Sequence, residues 1–483
     1  MLQEYKQFAR RIGLIGTTNI LVHLSGLLLL PILTKTMPIE EYGTYVQIVV
    51  TIGLVPGVVM LGLPYTMVRY LASPKSQEEV QEGYYSIVGI TVLTAGLASV
   101  TLVLLAEPIA ATLFDGQTMV TRILALVIFL ECMNLLQYNY FRTFQQIKRY
   151  SSLLFLKTCL QLVVVGALVL AGYGIFGAAV GLLVTNLCLF LVMSITIISE
   201  IGITVPKFRH LREYLSFGLP TVPGNLSSWV VNSSDRYVIA LFLGAAYVGY
   251  YSPGYTLGNV ISLFSAPLSF MLPAVLSKHY DDKNLDGVKT ILSYSTKYFL
   301  ALAIPSIVGL TLLSRPLLAI LSTPDIAASG YLITPFVAIC AFFYGIYTLA
   351  VQVLILYKKT KYMGSIWLIA AGLNIVLNVI FIPLFGIISA AITTLISFCI
   401  ATMYIVYHSN LLSIVDLKRG FISKCCISSL ILGLFITFLS PSSVAEILVT
   451  VFCSACIYLG LLFLLNGFSR EEFVFFKKIF GIS

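Results

Sequence analysis

Apolar runs of about twenty residues recur along the chain, interrupted by short polar segments and carrying few charges inside them. The pattern predicts about fourteen membrane-spanning helices, near residues 12–33, 45–67, 84–105, 120–141, 152–171, 175–198, 215–243, 250–275, 291–313, 330–356, 362–382, 387–408, 421–439 and 444–465. The chain therefore reads as an all-α polytopic membrane protein. The longest polar loops, near 70–83, 199–213 and 276–290, are too short for a soluble domain. Lys6, Arg10 and Arg11 precede the first apolar run as in a signal peptide. That run is too long and lacks a small-residue cleavage site, so it is expected to stay as an uncleaved first span.

Within this pattern the polar exceptions are the candidates for function. Span 7 is long enough to cross about 30 Å of hydrocarbon, yet Asp235 lies eight residues before its end, roughly 12 Å deep. Each charge at a span centre costs about 2.5–3.5 kcal/mol, so Asp235 and Arg236 are expected to face protein or a water-filled cavity. Neighbouring helical positions diverge by about 100°, which argues against simple mutual neutralisation. Asn225, Trp229, Asn232 and Arg236 recur every three or four residues and predict a polar stripe that needs a partner other than lipid.

Span 1 carries Gly16, Asn19, His23 and Gly26 at helical spacing, which suggests a polar cleft shared with the span 7 stripe; interhelical hydrogen bonding is the plainer reading. No cluster of metal ligands accompanies His23. In span 4, Glu131, Asn134, Tyr138 and Arg142 share a face. Glu131 could titrate with an ion or proton, or pair with Arg142 or Lys157. Lys157 and Lys297 lie near cytoplasmic span ends, where snorkelling accounts for them and a cationic mouth for an anionic headgroup is the alternative.

Composition agrees with the pattern: 59% hydrophobic and 10% charged residues, with a mean hydropathy of +0.97, exclude a soluble protein. A net charge of +9 could suggest nucleic acid, but the basic residues mark topology instead. Only Lys35 and Arg315 fall in segments assigned to the outside, and Arg122, Lys157, Arg236 and Lys297 fall in spans. All other Lys and Arg lie on the side of the N-terminus, as in Lys207, Arg209 and Arg212 or Lys358, Lys359 and Lys361. This asymmetry predicts a multi-pass protein of the cell (plasma or inner) membrane with both termini cytoplasmic. The nine cysteines sit in or beside spans, so no disulfide framework is implied, and Cys453 and Cys456 read as helix-packing residues. No phosphate-cradling glycine loop is present. The run from Asp282 to Gly287 resembles the start of a calcium loop, but Ser293 stands where the bidentate Glu belongs, and a turn capping span 9 is the better reading. Neither a cofactor nor a metal is called for.

The chain also repeats itself weakly at about 206–212 residues. The run Tyr173 to Ala179 parallels Phe385 to Ala391, Arg149-Tyr150 matches Lys361-Tyr362, and Gly43-Thr44-Tyr45 matches Gly249-Tyr250-Tyr251. Two six-span halves follow, 1–210 and 211–410, with residues 411–483 adding two spans and a cytoplasmic tail. Pro56 and Pro64 in span 2 correspond to Pro267 and Pro273 in span 8. Broken helices are expected in matching places, pointing either to a transport pathway or to ordinary kinking.

Arg10-Arg11-Ile12-Gly13, Leu30-Pro31-Ile32-Leu33, Glu40 to Tyr45, Gly218-Leu219-Pro220, Asp235-Arg236-Tyr237 and Val248 to Ser252 together give the chain a family likeness over essentially its whole length. It resembles the polysaccharide-biosynthesis flippases of the O-antigen type, in the multidrug, oligosaccharidyl-lipid and polysaccharide exporter superfamily. That resemblance implies two six-helix bundles in a V around a central cavity. It also implies a non-enzymatic activity: moving an undecaprenyl- or dolichyl-type lipid-linked oligosaccharide to the outer leaflet by alternating access.

A pyrophosphate-sugar headgroup would suit such a site, with Arg69, Lys157, Arg236 and Lys297 attracting phosphates and Asn19, Asn225 and Asn232 bonding sugars. His23, Glu131 and Asp235 complete the candidate substrate-binding set. Membrane lipids, a coupling ion (H+ or Na+), a polysaccharide polymerase and glycosyltransferases are the expected partners, and nucleic acid is not. The alternatives are a cation-coupled multidrug antiporter of the same fold and a membrane scaffold for glycan enzymes. An exporter of cationic drugs should concentrate carboxylates in its spans, whereas here embedded cations outnumber Glu131 and Asp235.

Overall fold

The computed structural model describes residues 18, 20–22, 24–72, 76–359, 361–415, 419–468 and 472. All regular structure among them is helical, which suits a bilayer because a helix satisfies its backbone groups within its own segment. The helices relevant here are α1 (Ile20–Thr36), α2 (Ile39–Val59), α3 (Leu63–Leu71), α4 (Gln77–Leu104), α5 (Ala106–Leu113), α6 (Thr118–Thr143), α7 (Ile147–Leu168), α8 (Gly174–Ile201), α9 (Leu211–Gly218) and α10 (Val222–Leu243). They continue with α11 (Ala245–Gly258), α12 (Ser262–Asp281), α13 (Leu285–Leu321), α14 (Pro324–Gly330), α15 (Ile333–Leu356), α16 (Lys361–Phe385), α17 (Ile387–Ser409), α18 (Leu411–Ile414), α19 (Arg419–Leu439) and α20 (Val444–Leu464).

Among the described residues, eleven helical runs are long and apolar enough to cross a membrane. One of them, Ile147–Ile201, is two spans: α7 and α8 pack side by side and join through Val169–Tyr173, where Gly172 takes φ 88°. With the shorter α1 and the more polar α10, the total is about fourteen, as the hydropathy pattern predicts. The internal repeat is visible in the backbone too, since Gly174 at the start of α8 and Gly386 just before α17 both have positive φ.

The chain divides into two compact units, Met1–Ser252 with Trp367–Ser397, and Pro253–Ile366 with Phe398–Ser483. In the first, α6 is the central helix. Its span window is 72% buried against 28% for α4, and it packs on α2, α3, α4, α5, α7 and α8. That position explains its composition: Glu131, Asn134 and Gln137 can lie in a span because protein, not lipid, surrounds them. Leu93, Leu97 and Leu104 of α4 are exposed instead, as suits contact with acyl chains.

In the second unit, α13 is the long element, and α12, α14, α15, α19 and α20 pack along it. Spans 13 and 14 are bound to it by a core of Ala301, Leu313, Phe421, Leu432, Tyr458 and Leu462. The start of α13 is capped as expected, the Asn284 side chain accepting the Gly287 N–H at 2.8 Å.

Two expectations about helix breaks are corrected. Span 2 breaks at Met60–Gly62, between its prolines: Pro56 lies inside α2, and Pro64 occupies the first turn of α3, where a missing N–H breaks no helical bond. In span 8 the interruption is the 3-10 turn Asn259–Ile261, and both Pro267 and Pro273 sit within α12. A proline in a membrane helix kinks it without ending it when neighbours satisfy the freed carbonyl, so matching prolines do not give matching breaks. Span 7, read as continuous over 215–243, is interrupted at Leu219–Thr221 between α9 and α10.

The breaks of spans 2 and 7 meet. Gly62 and Gly218 approach so closely that a Cβ on either would strike backbone of the other segment. A second backbone contact joins the repeated Tyr-Gly motifs, Gly43 lying against Ala245 and Gly249, and Gly249 against Ile39. Gly43→Val should therefore force α2 away from α11. The expected loss is about 1–3 kcal/mol, read as a lower melting temperature of the detergent-solubilised protein, with Gly96→Val, where a Cβ meets no neighbour, as the unaffected control.

Candidate functional site

The polar face of α10 finds its partner in α2 and α3. Tyr65 on α3 donates its hydroxyl to Asn225 Oδ1 at 3.1 Å. The Trp229 indole packs beside Gly53 of α2 and, at 5.7 Å between ring centroids, against Tyr237. Deeper along the helix the Gln47 amide donates to the Arg236 carbonyl, and the hydroxyls of Thr51 and Tyr237 share a hydrogen bond. Asn232 turns its side-chain amide to its own helix, donating to the Ser228 carbonyl at 2.8 Å, while its backbone carbonyl accepts from Arg236 Nη1 at 2.9 Å.

Asp235 and Arg236 neutralise each other, contrary to the expectation from their angular separation. Nη1 of Arg236 lies 3.0 Å from Asp235 Oδ1, and that oxygen also accepts the Arg236 backbone N–H at 2.9 Å. The 100° rule governs Cβ directions, whereas the long arginine arm has enough torsions to fold back along its own helix. Tyr251 completes the arrangement from α11. Its hydroxyl donates to Asp235 Oδ2, and its fully buried ring lies 5.6 Å from the guanidinium carbon, within range of a cation–π contact.

On the neighbouring face, Ser234 donates to Asn374 Oδ1 at 3.2 Å, and Asn378 donates to the same oxygen at 3.0 Å. Asn374 in turn donates to Thr394 at 3.4 Å, and Thr393 donates to Asn378 Oδ1. This amide and hydroxyl chain was not foreseen, although Asn374 and Asn378 stand four apart in span 11 and so share a face. Tyr251 stands in the repeated run Gly249-Tyr250-Tyr251, which marks its position in the chain and not its contact with Asp235.

Of the two open partners for Glu131, the structure selects Lys157, whose Nζ bonds both carboxylate oxygens at 2.8 Å; Arg142 is exposed and bears no part in it. Asn134 instead bonds Asn186 on α8, and Tyr138 donates to the Leu153 carbonyl at 3.2 Å. Lys297 is held by Glu472, at 2.7 and 2.8 Å, and lies over the rings of Phe421 and Phe468.

The expected excess of embedded cations is thereby corrected: Lys157, Arg236 and Lys297 each have a carboxylate, and Glu472 escaped notice because it follows the last span. Arg69 is exposed in the last turn of α3 and makes no ion pair among the described residues. Asn19 and His23 lie outside the described residues. What remains is a set of buried charge pairs and amides, each held by protein partners within its own unit.

A family of polysaccharide biosynthesis proteins matches residues 32–325, and the chain belongs to that family. Among its relatives is the probable low-salt glycan biosynthesis flippase Agl15 of Haloferax volcanii, 21% identical over 257 residues that make up 52% of this chain and 54% of that one. The chain thus spans about half the length of this relative. Two solved structures share the fold. The lipid II flippase MurJ in its inward closed conformation has 20% identity and a TM-score of 0.75, covering 92% of this chain and 97% of that one. An inward-facing multidrug resistance MATE family transporter of the MOP superfamily has 14% identity and a TM-score of 0.66, covering 83% and 95%.

The geometry makes Arg236 a structural residue whatever else it does. Arg236→Gln should strand a buried carboxylate and cost about 3–5 kcal/mol, whereas the Asp235→Asn/Arg236→Gln double variant should recover much of that loss. Thermal unfolding of the four proteins in one detergent measures the cycle. Additive losses would mean that the two side chains do not interact.

Proposed function

We propose that this protein is a flippase, not an enzyme, which moves a lipid-linked oligosaccharide on a polyprenyl-pyrophosphate-type carrier from the cytoplasmic to the outer leaflet for surface polysaccharide or glycan assembly. Membership of the polysaccharide-biosynthesis family carries this reading, and the likeness to proteins named as flippases supports it. The charged and amide groups buried along α10 give an anionic, hydroxyl-rich headgroup something to exchange with. The sequence-repeated halves, 1–210 and 211–410, are the parts that alternate access requires, with 411–483 as an addition. Asp235, Arg236, Asn225, Asn232, Lys157, Glu131, Lys297, Arg69, Asn19 and His23 form the proposed substrate-binding set. Membrane lipids surround the chain. A coupling ion, H+ or Na+, and a polymerase or glycosyltransferases acting on the same lipid are its further proposed partners.

Loss of the protein should leave the lipid intermediate on the cytoplasmic leaflet. An impermeant glycan-modifying enzyme applied to intact cells then finds less of it than in the wild type. Undiminished outward exposure in a strain without a second flippase overturns the reading, and a selective loss of drug resistance favours the antiporter.

The charge asymmetry of the loops supports a location in the cell membrane with both termini cytoplasmic. Single cysteines at Lys358 and Lys278, introduced into a cysteine-free variant, should stay unlabelled by an impermeant thiol reagent until the cells are opened. A cysteine at Lys35 should label at once. The reverse pattern would invert the topology.

A further inference from the structure

Between α8 and α9 the chain runs through residues 202–208 without regular structure, yet it is fastened along its length to the first turns of α4. Gln81 donates to the Ile201 carbonyl, and the Tyr85 hydroxyl donates to the Gly202 carbonyl at 2.6 Å. The Glu82 carboxylate accepts the backbone N–H of Lys207 at 2.9 and 3.0 Å and that of Arg209 at 3.5 Å. Between those two attachments Phe208 is held at φ 52°, a left-handed conformation that bulky residues rarely adopt, and its ring lies on Gly89. Exposure alternates with the two-residue period of an extended chain. Gly202, Thr204 and Pro206 are partly covered, whereas Ile203 and Val205 are 73% and 82% exposed and Lys207 is exposed beside them.

Glu82, Tyr85, Gly89 and Leu93 follow one another at three or four residues, so they share a face of α4 that continues through Val100. Leu93, Val100 and Leu104 on that face are exposed, as suits acyl chains, and the fastened segment covers the same face at its other end. Gly89 is five residues, or about 7 Å, inside the apolar run that begins at Tyr84. Phe208 therefore reaches past the polar edge of the span, and Ile203 and Val205 stand where hydrocarbon gives way to headgroups.

The charge beside them is one-sided. Within residues 202–213 three cations, Lys207, Arg209 and Arg212, stand against one acid, Glu213, which lies 3.3 Å from His210. The three cations are exposed and make no ion pair among the described residues. Two neighbouring carboxylates are occupied, Glu82 by the backbone of the segment and Glu200 by Arg149, Tyr140 and Gln146.

We propose that residues 202–212 bind anionic phospholipid at the membrane surface. Ile203 and Val205 enter the boundary between headgroups and acyl chains, while Lys207, Arg209 and Arg212 hold the phosphates. Fastening to α4 fixes the backbone beforehand, so a headgroup meets the cations without having to order the segment. The lipid-facing continuation of the same helix face favours phospholipid over a protein partner. The inference holds whatever the protein transports.

The test uses the cysteine-free full chain carrying Val205→Cys labelled with bimane, reconstituted into vesicles of phosphatidylcholine and phosphatidylglycerol in equal amounts. Bromine, which quenches the label, is placed on the acyl chains of one lipid or the other at the same total content. Both lipids should quench, and brominated phosphatidylglycerol should quench about twofold more than brominated phosphatidylcholine. Molar salt should bring that ratio towards one, because these charges are exposed. A label at Leu93→Cys should show a ratio of one throughout. Combining Lys207→Gln, Arg209→Gln and Arg212→Gln should remove the preference at Val205 while leaving its quenching by both lipids; if that variant does not fold, the salt series on the native charges decides. A ratio of one at Val205 in low salt overturns the proposal. So does an absence of quenching by either lipid, which would put the segment in water or under a protein.

Discussion

A charge buried in a membrane protein has to bring its counter-charge with it, because neither lipid nor an apolar interior can stand in for water. Much of this molecule follows from that requirement. Asp235 and Arg236 make α10 too polar to face hydrocarbon, so its stripe turns onto α2 and α3. On either side of α10, in α9 and α11, backbone lies against the backbone of span 2 and its flank, Gly218 on Gly62 and Gly249 on Gly43, and glycines stand at the contacts. Tyr251 ties α11 to the same pair. Lys157 and Glu131 likewise bind α7 to α6, and Lys297 and Glu472 bind the chain's last described residue to α13.

The parts of this design that depend on one segment alone were legible in the sequence. Apolar length gave the spans, and the repeat pairing Tyr173–Ala179 with Phe385–Ala391 has its counterpart in the positive φ of Gly174 and Gly386. The polar stripe of α10 was correctly read as a face in need of protein. Pairings were harder. Lys157 was one of two candidates for Glu131, and choosing between them requires knowing how α6 and α7 lie together. The Asp235–Arg236 contact was missed because backbone periodicity says where a side chain starts and not where a flexible one ends. Gln47, Asn374 and Thr393 look ordinary in their spans until neighbouring helices bring them beside α10 or one another. The helix breaks were misplaced because proline was taken as the breaker, whereas the chain turns at Leu61–Gly62 and Asn259–Ile261.

Charge balance also bears on the proposed recognition of an anion. A bare cation in the membrane interior would attract phosphate from the surrounding lipid. A cation already matched with a carboxylate holds every such anion more weakly, since a ligand gains only the difference between itself and the internal partner. The amide and hydroxyl chain from Ser234 to Thr393 adds neutral groups that can reorganise without changing net charge.

The polarity of α10 has a consequence for how the protein is made. Val222–Leu243 is not among the helices apolar enough to cross a membrane by composition, and its two charges weigh against its leaving the insertion machinery unaided. Synthesis runs from the N-terminus, so α2 and α3 are in the bilayer before α10 emerges. Gln47, Thr51 and Tyr65 are then waiting to receive it. Entry of the seventh span is in this sense a docking event, with the first six spans serving as its assembly template.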